Sequence, residues 1–129
     1  MTTWTFTVPI QAMGAVRMNR SDAWKKRPRV LRYRAYRDVI RKHAPADLTK
    51  EPLSLEIVCR IPTPESWSAK KKIEHAGAPH RQKPDADNIA KGVMDALWDQ
   101  DQVVAELYVR KSWITGLKAE IYITVKDNK

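Results

Sequence analysis

The stretch Lys83-Pro-Asp-Ala-Asp-Asn-Ile-Ala-Lys-Gly-Val-Met-Asp-Ala-Leu-Trp-Asp-Gln-Asp-Gln-Val-Val-Ala-Glu-Leu-Tyr-Val109 changes period partway through, and that change decides the fold. From Asn88 to Trp98 the apolar residues Ile89, Val93, Ala96 and Leu97 fall at helical spacing, with Asp85 or Asp87 placed to cap the N-terminus. Beyond Asp101, which opens the next strand, the period becomes two, and Val103, Ala105, Leu107 and Val109 share one face. A second alternating run, Leu117, Ala119, Ile121, Ile123 and Val125, follows. Ile114-Thr115-Gly116 between the two runs reads as a hairpin turn.

Working outward, Leu53, Leu55, Ile57 and Cys59 alternate with polar neighbours until Pro62 and Pro64 end the strand. Trp4, Phe6 and Val8 form an earlier strand ended by Pro9. Pro28 opens a helix whose apolar stripe is Leu31, Ala35, Tyr36, Val39 and Ile40, and Pro45 stops it. Residues 11–29 lack periodicity and read as a basic loop. Residues 62–84 read as a long polar flap with a short helix around Ser68 to His75. At 129 residues this is one α+β domain, a mixed sheet of about four strands with two main helices in the order β-α-β-α-β-β.

Cys59 falls on an apolar strand face and reads as buried packing. As the single cysteine it allows no intramolecular disulfide and no multi-cysteine zinc site. No apolar run approaches the roughly 20 residues needed to span a bilayer, and the N-terminus alternates where a signal peptide would be continuously apolar. The expectation is a cytoplasmic protein with no membrane partner.

The formal net charge is +9, and it is concentrated. Between Arg17 and Lys42 stand eleven Arg or Lys against Asp22 and Asp38, whereas the remaining chain carries thirteen of each sign. Such a cluster suits a polyanion, because each phosphate neutralised releases condensed counterions. The candidates are Arg17, Arg20, Lys25, Lys26 and Arg27 in the loop, then Arg34 and Arg37 on the helix, where Arg41 shares their face. Lys70, Lys71, Lys72 and Lys83 extend the set along the flap.

Asp85 and Asp87, two positions apart after Pro84, make half a site for a hard cation, since Mg2+ takes one or two carboxylates and completes its octahedron with water and phosphate oxygens. Spacing alone fits a plainer role as well. Asp87, Lys91 and Asp95 lie four apart and could be exposed helical ion pairs beside an N-cap. With Asp101 the set reaches three carboxylates able to hold one or two Mg2+ at a scissile phosphate, and Lys91 could neutralise charge building there. The motifs of zinc proteases, P-loop proteins and serine hydrolases are absent, and His43, His75 and His80 are scattered. His80 reads as an exposed loop residue, with phosphate contact as the alternative.

At these residues the chain resembles the RusA family of Holliday junction endodeoxyribonucleases, in its phage and prophage branch. The resemblance is carried by Pro64 to Lys72, Gly77, His80, Lys83-Pro84-Asp85-Ala-Asp87-Asn88, Lys91, Asp95-Ala96-Leu97 and the block Gln102 to Lys111. It implies a homodimer dependent on Mg2+, with Mn2+ as a substitute, that binds four-way junctions and resolves them by paired nicks in DNA recombination and repair. Asp85 and Asp87 fall on the family's metal-binding pair, and Lys91 on its essential lysine. The family usually has adjacent aspartates before its final strand, whereas this chain reads Asp99-Gln100-Asp101. Counting back from Lys111 selects Asp101 as catalytic and leaves Asp99 as the alternative. The competing readings are a non-catalytic basic nucleic-acid-binding protein, and a nuclease acting on other branched DNA.

Overall fold

Strands β1 (Thr3–Val8), β2 (Ser54–Pro62), β3 (Glu106–Ile114) and β4 (Glu120–Lys126) form one sheet, and α1 (Pro28–His43), α2 (Ala69–His75) and α3 (Ala86–Leu97) are the helices. The computed structural model describes residues 1–17, 27–116 and 118–128. Arg20, Lys25 and Lys26 of the basic loop, and Leu117 of the expected last strand, lie outside the described residues. The α+β class with a mixed four-stranded sheet is as the patterning implies, and α2 is the short helix expected around Ser68 to His75.

β2 pairs in parallel with β3 and antiparallel with β4, and β4 pairs antiparallel with β1, so the order is β1-β4-β2-β3. The hairpin expected between the last two strands does not form, because β2 lies between them. Period two identifies a strand's buried face and says nothing of its neighbour. Ile121, Ile123 and Val125 of β4 are wholly buried, as an interior strand demands, whereas Leu107 and Tyr108 of β3 stay about half exposed at the sheet's edge. The connection 115–119 can bridge the gap: two strand spacings are about 10 Å, and five extended residues reach about 17 Å. Asp101 does not open β3 either. It begins a 3-10 turn, Asp101–Val103, before the strand starts at Glu106.

In register, Leu55, Ile57 and Cys59 oppose Val125, Ile123 and Ile121 on one side and Leu107, Val109 and Lys111 on the other. This face, with Val8, is the core on which α1 and α3 pack. The helix α1 buries Val30, Tyr33, Tyr36 and Ile40. The expected stripe is therefore rotated, for Leu31 and Ala35 face solvent. Tyr33 turns it: its ring lies against Gly92, and its hydroxyl donates to Asp95 on α3 at 3.0 Å. Arg41 Nε, about two turns further along α1, donates to the Ala96 carbonyl at 2.9 Å, a second bond to the last turn of α3.

The flap is tied down rather than loose. Thr63 N–H donates to the Ile114 carbonyl, Gly77 N–H to Trp113 and His80 N–H to Lys111, while Trp113 N–H donates to Ala78. Residues 77–80 thus lie along the open edge of β3, which leaves fewer unpaired groups there. Gly77 makes the turn out of α2 with φ +79°, a conformation that a side chain disfavours. Trp67 packs its ring 4.9 Å from Trp113 and 4.7 Å from His75, so α2 is anchored by aromatic contact.

Cys59 is fully buried, and burial pushes its thiol up to about 12. A thiolate reagent at pH 8 should therefore leave the folded protein unmodified and react stoichiometrically in denaturant, a contrast that timed alkylation and mass spectrometry will read.

Candidate active site

Pro84 precedes α3, and Asp85 sits at its N-cap with extended backbone (φ −68°, ψ 146°). The Asp85 carboxylate does not cap the helix. It turns outward, its two oxygens 3.0 and 3.1 Å from Lys83 Nζ. Asp87 lies exposed in the first turn, where a carboxylate faces the positive end of the helix dipole, and it has no side-chain partner among the described residues.

One turn on, Lys91 ignores both aspartates four positions away and reaches Asp101 at 3.4 Å. Asp95 is occupied by Tyr33, so the series of exposed helical ion pairs allowed by spacing does not form. Lys91 joins α3 to the 3-10 turn and brings Asp101 to the side of the helix that carries Asp87. Asp99 is exposed and makes no such link. Among the described residues no three His, Cys, Asp or Glu side chains gather as a metal cluster. The donor chemistry of Asp85 and Asp87 nonetheless fits a hard cation, because both carboxylates are free of capping duty and Mg2+ needs only one or two from the protein.

Two attachments fix this segment from behind. Lys111 Nζ donates to the carbonyls of Gln82 at 2.7 Å and Pro84 at 2.8 Å, holding the residues just before Asp85 against β3. On the other side Asn88 Nδ2 donates to the Ala15 carbonyl at 3.2 Å, and Ala15 N–H returns a bond to the Asn88 carbonyl at 3.1 Å. Gly14 permits this docking, since a Cβ there would lie 2.5 Å from Asn88 Nδ2. Neither Lys111 nor Gly14 stands among the candidates that spacing and charge select. Lys111 carried a signal all the same, being a cation in phase with Leu107, Val109 and Trp113 on the apolar side of a strand.

The basic candidates divide. Arg17 is exposed, and Arg27 donates to its carbonyl at 3.5 Å. Arg34 is half-buried, and Arg37 lies over the Tyr33 ring at 4.8 Å, so their face of α1 is partly used in packing. Lys70 and Lys71 are exposed and Lys72 half-buried, with Lys71 Nζ 4.2 Å from the Trp67 ring. His80 corrects the expectation of an exposed loop histidine: it is 5% exposed, its ring tilted against that of Trp113 with centroids 4.3 Å apart.

Burial, and then the neighbouring Lys111 charge, hold the His80 imidazole below its ordinary 6.5. Above that value both folded and unfolded chains carry it neutral; as pH falls below it the unfolded chain gains the proton first, so stability is lost progressively through the folded pKa. The melting temperature should fall between pH 7 and 5, and His80→Gln should flatten that dependence. Lys111→Met should cost about 1 to 2 kcal/mol through the two carbonyls it deprives, and should speed amide exchange around Asp85.

Residues 9–126 match the family model described as Endodeoxyribonuclease RusA. The chain is also similar to YqaN, an uncharacterized protein of Bacillus subtilis (strain 168), at 32% identity in an alignment 93 positions long that covers 66% of each chain, just under two thirds. As the family match runs from the end of β1 to the last residue of β4, spanning Asp85, Asp87, Lys91 and Asp101, this chain belongs to the RusA family of endodeoxyribonucleases.

Proposed function

We propose that the chain is a Mg2+-dependent endonuclease that cuts four-way DNA junctions by paired nicks, acting as a homodimer. The observation that carries this reading is the pairing of Lys91 with Asp101 beside an α3 N-terminus whose two carboxylates are turned outward. Asp85 and Asp87, joined by Asp101, are the residues to hold the metal. A metal held there would supply polarisation of a phosphate and a water of lowered pKa. Lys91, one turn from Asp87, is positioned to offset negative charge gathering on the phosphate. Lys83 pairs with Asp85, and Lys111 with Asn88 keeps the backbone on either side of Asp85 from drifting. A misplacement of 1 Å can slow a reaction by about a hundredfold, so these attachments serve the chemistry as well as the fold.

Synthetic four-way junctions in Mg2+, at fixed physiological salt, supply the test. The parent should nick two strands of like polarity, and Asp85→Asn and Asp101→Asn should each lower the rate on the order of a hundredfold or more while retaining junction binding in EDTA. Asp99→Asn should stay near the parent. Binding without cutting in either Mg2+ or Mn2+ would establish a non-catalytic binding protein. Equal cutting of linear duplex would remove the junction preference, and a monomer by light scattering that still makes paired nicks would remove the dimer.

A further inference from the structure

Asp85 stands on a ridge between two open clefts. One, of about 460 Å³, is bounded by Gly14, Arg29, Arg32, Lys83, Asp85 and Asn88 among others. The second, of about 560 Å³, is bounded by His80, Arg81, Gln82, Lys83, Asp85 and Lys111 among others. Lys83 and Asp85 belong to both, so the clefts meet at one carboxylate and its lysine.

The cations facing these clefts differ from those on the packed side of α1. Arg29 and Arg32 are exposed and three positions apart, hence neighbours on the helix surface, and no carboxylate pairs with either among the described residues. Arg81 is exposed and likewise unpaired in the other cleft. Arg41, by contrast, is held by Ala96 and Asp38, and Arg37 by Tyr33. Lys111 uses two of its donors on carbonyls and so forms the back of the second cleft. A guanidinium left unpaired at the rim of an open cleft is suited to bidentate contact with a phosphate.

A nucleic-acid strand cut at Asp85 must carry a further phosphate on each side of the scissile one. We propose that the clefts are the subsites for those flanking phosphates, Arg29 and Arg32 holding one and Arg81 the other, so that the cleaved strand crosses the Asp85 ridge from cleft to cleft. The inference rests on the nuclease reading and adds the strand's path to it. It places the phosphate track on residues outside the Arg34 and Arg37 surface.

Junctions carrying a neutral methylphosphonate at the first phosphate on one side of the mapped cut, or on the other, test the path. In the parent each substitution should slow cleavage about tenfold. Arg81→Gln should be slowed similarly and become insensitive to the substitution on one side only. The double variant Arg29→Gln/Arg32→Gln should lose sensitivity on the opposite side only. Salt titration of junction binding in EDTA gives a reading independent of cutting: each phosphate that a variant no longer neutralises should reduce the slope of log K against log salt by about 0.7 to 0.9. Loss of sensitivity on the same side for both variants, unchanged sensitivity in both, or a parent indifferent to either substitution would overturn the path while leaving the nuclease intact. A parent that cuts no DNA would refute the nuclease reading instead, and unchanged salt slopes in the variants would then refute the clefts as phosphate sites.

Discussion

β2 and β3 run parallel, and a parallel pair cannot be closed by a tight turn. The chain must leave the top of β2 at Pro62 and return to the start of β3 at Glu106. The carboxylates and the lysines around them lie in that return: the flap lysines, Lys83, Asp85, Asp87, Lys91 and Asp101. The crossover would be a long excursion were it not fastened to β3 along its length, first through the backbone of residues 77–80 and then through the Lys111 side chain. The edge strand that receives the chain at the end of the crossover thus also positions the middle of it. A sheet edge that would otherwise offer unpaired groups to another chain is used to hold a loop.

That arrangement explains which parts of the fold are legible in the sequence. The strands around Phe6, Ile57 and Ile123 are legible because alternation is a local property. The order of the strands is not, since it depends on which apolar faces compete for the middle of the sheet. β4, with three wholly buried residues, displaces β3 to the edge, and the Ile114-Thr115-Gly116 turn signal offers no warning. The rotation of α1 has a similar cause. Counting Leu31 and Ala35 as core ignores Tyr33, whose ring can be buried because its hydroxyl finds Asp95 on another helix.

Within the site, residue types are legible and pairings are not. Asp85, Asp87 and Lys91 stand out by spacing, yet spacing favours contacts along α3, and the ion pair formed instead connects Lys91 to Asp101, ten positions away. Both side chains are about half exposed, so this pair adds well under 1 kcal/mol to stability. Its interest is therefore positional. His80 misleads for the opposite reason: a polar residue between prolines suggests solvent, but the adjoining backbone bond to β3 brings its ring against Trp113.

The charge distribution makes a further separation that net charge conceals. Eleven cations within 26 residues suggest one continuous basic surface. On α1, however, a helix that buries one side must assign its arginines by angle. Positions 37 and 41 fall where a long stem can lie over Tyr33 or reach a carbonyl of α3, and there the guanidinium serves packing. Positions 29 and 32 fall on the rim toward Gly14 and Asp85, where no carboxylate among the described residues pairs with either guanidinium. A cation's value for binding phosphate depends on what already satisfies it, so the arginines nearest in sequence to one another divide between two tasks, and the helix's rotation about Tyr33 draws the line between them.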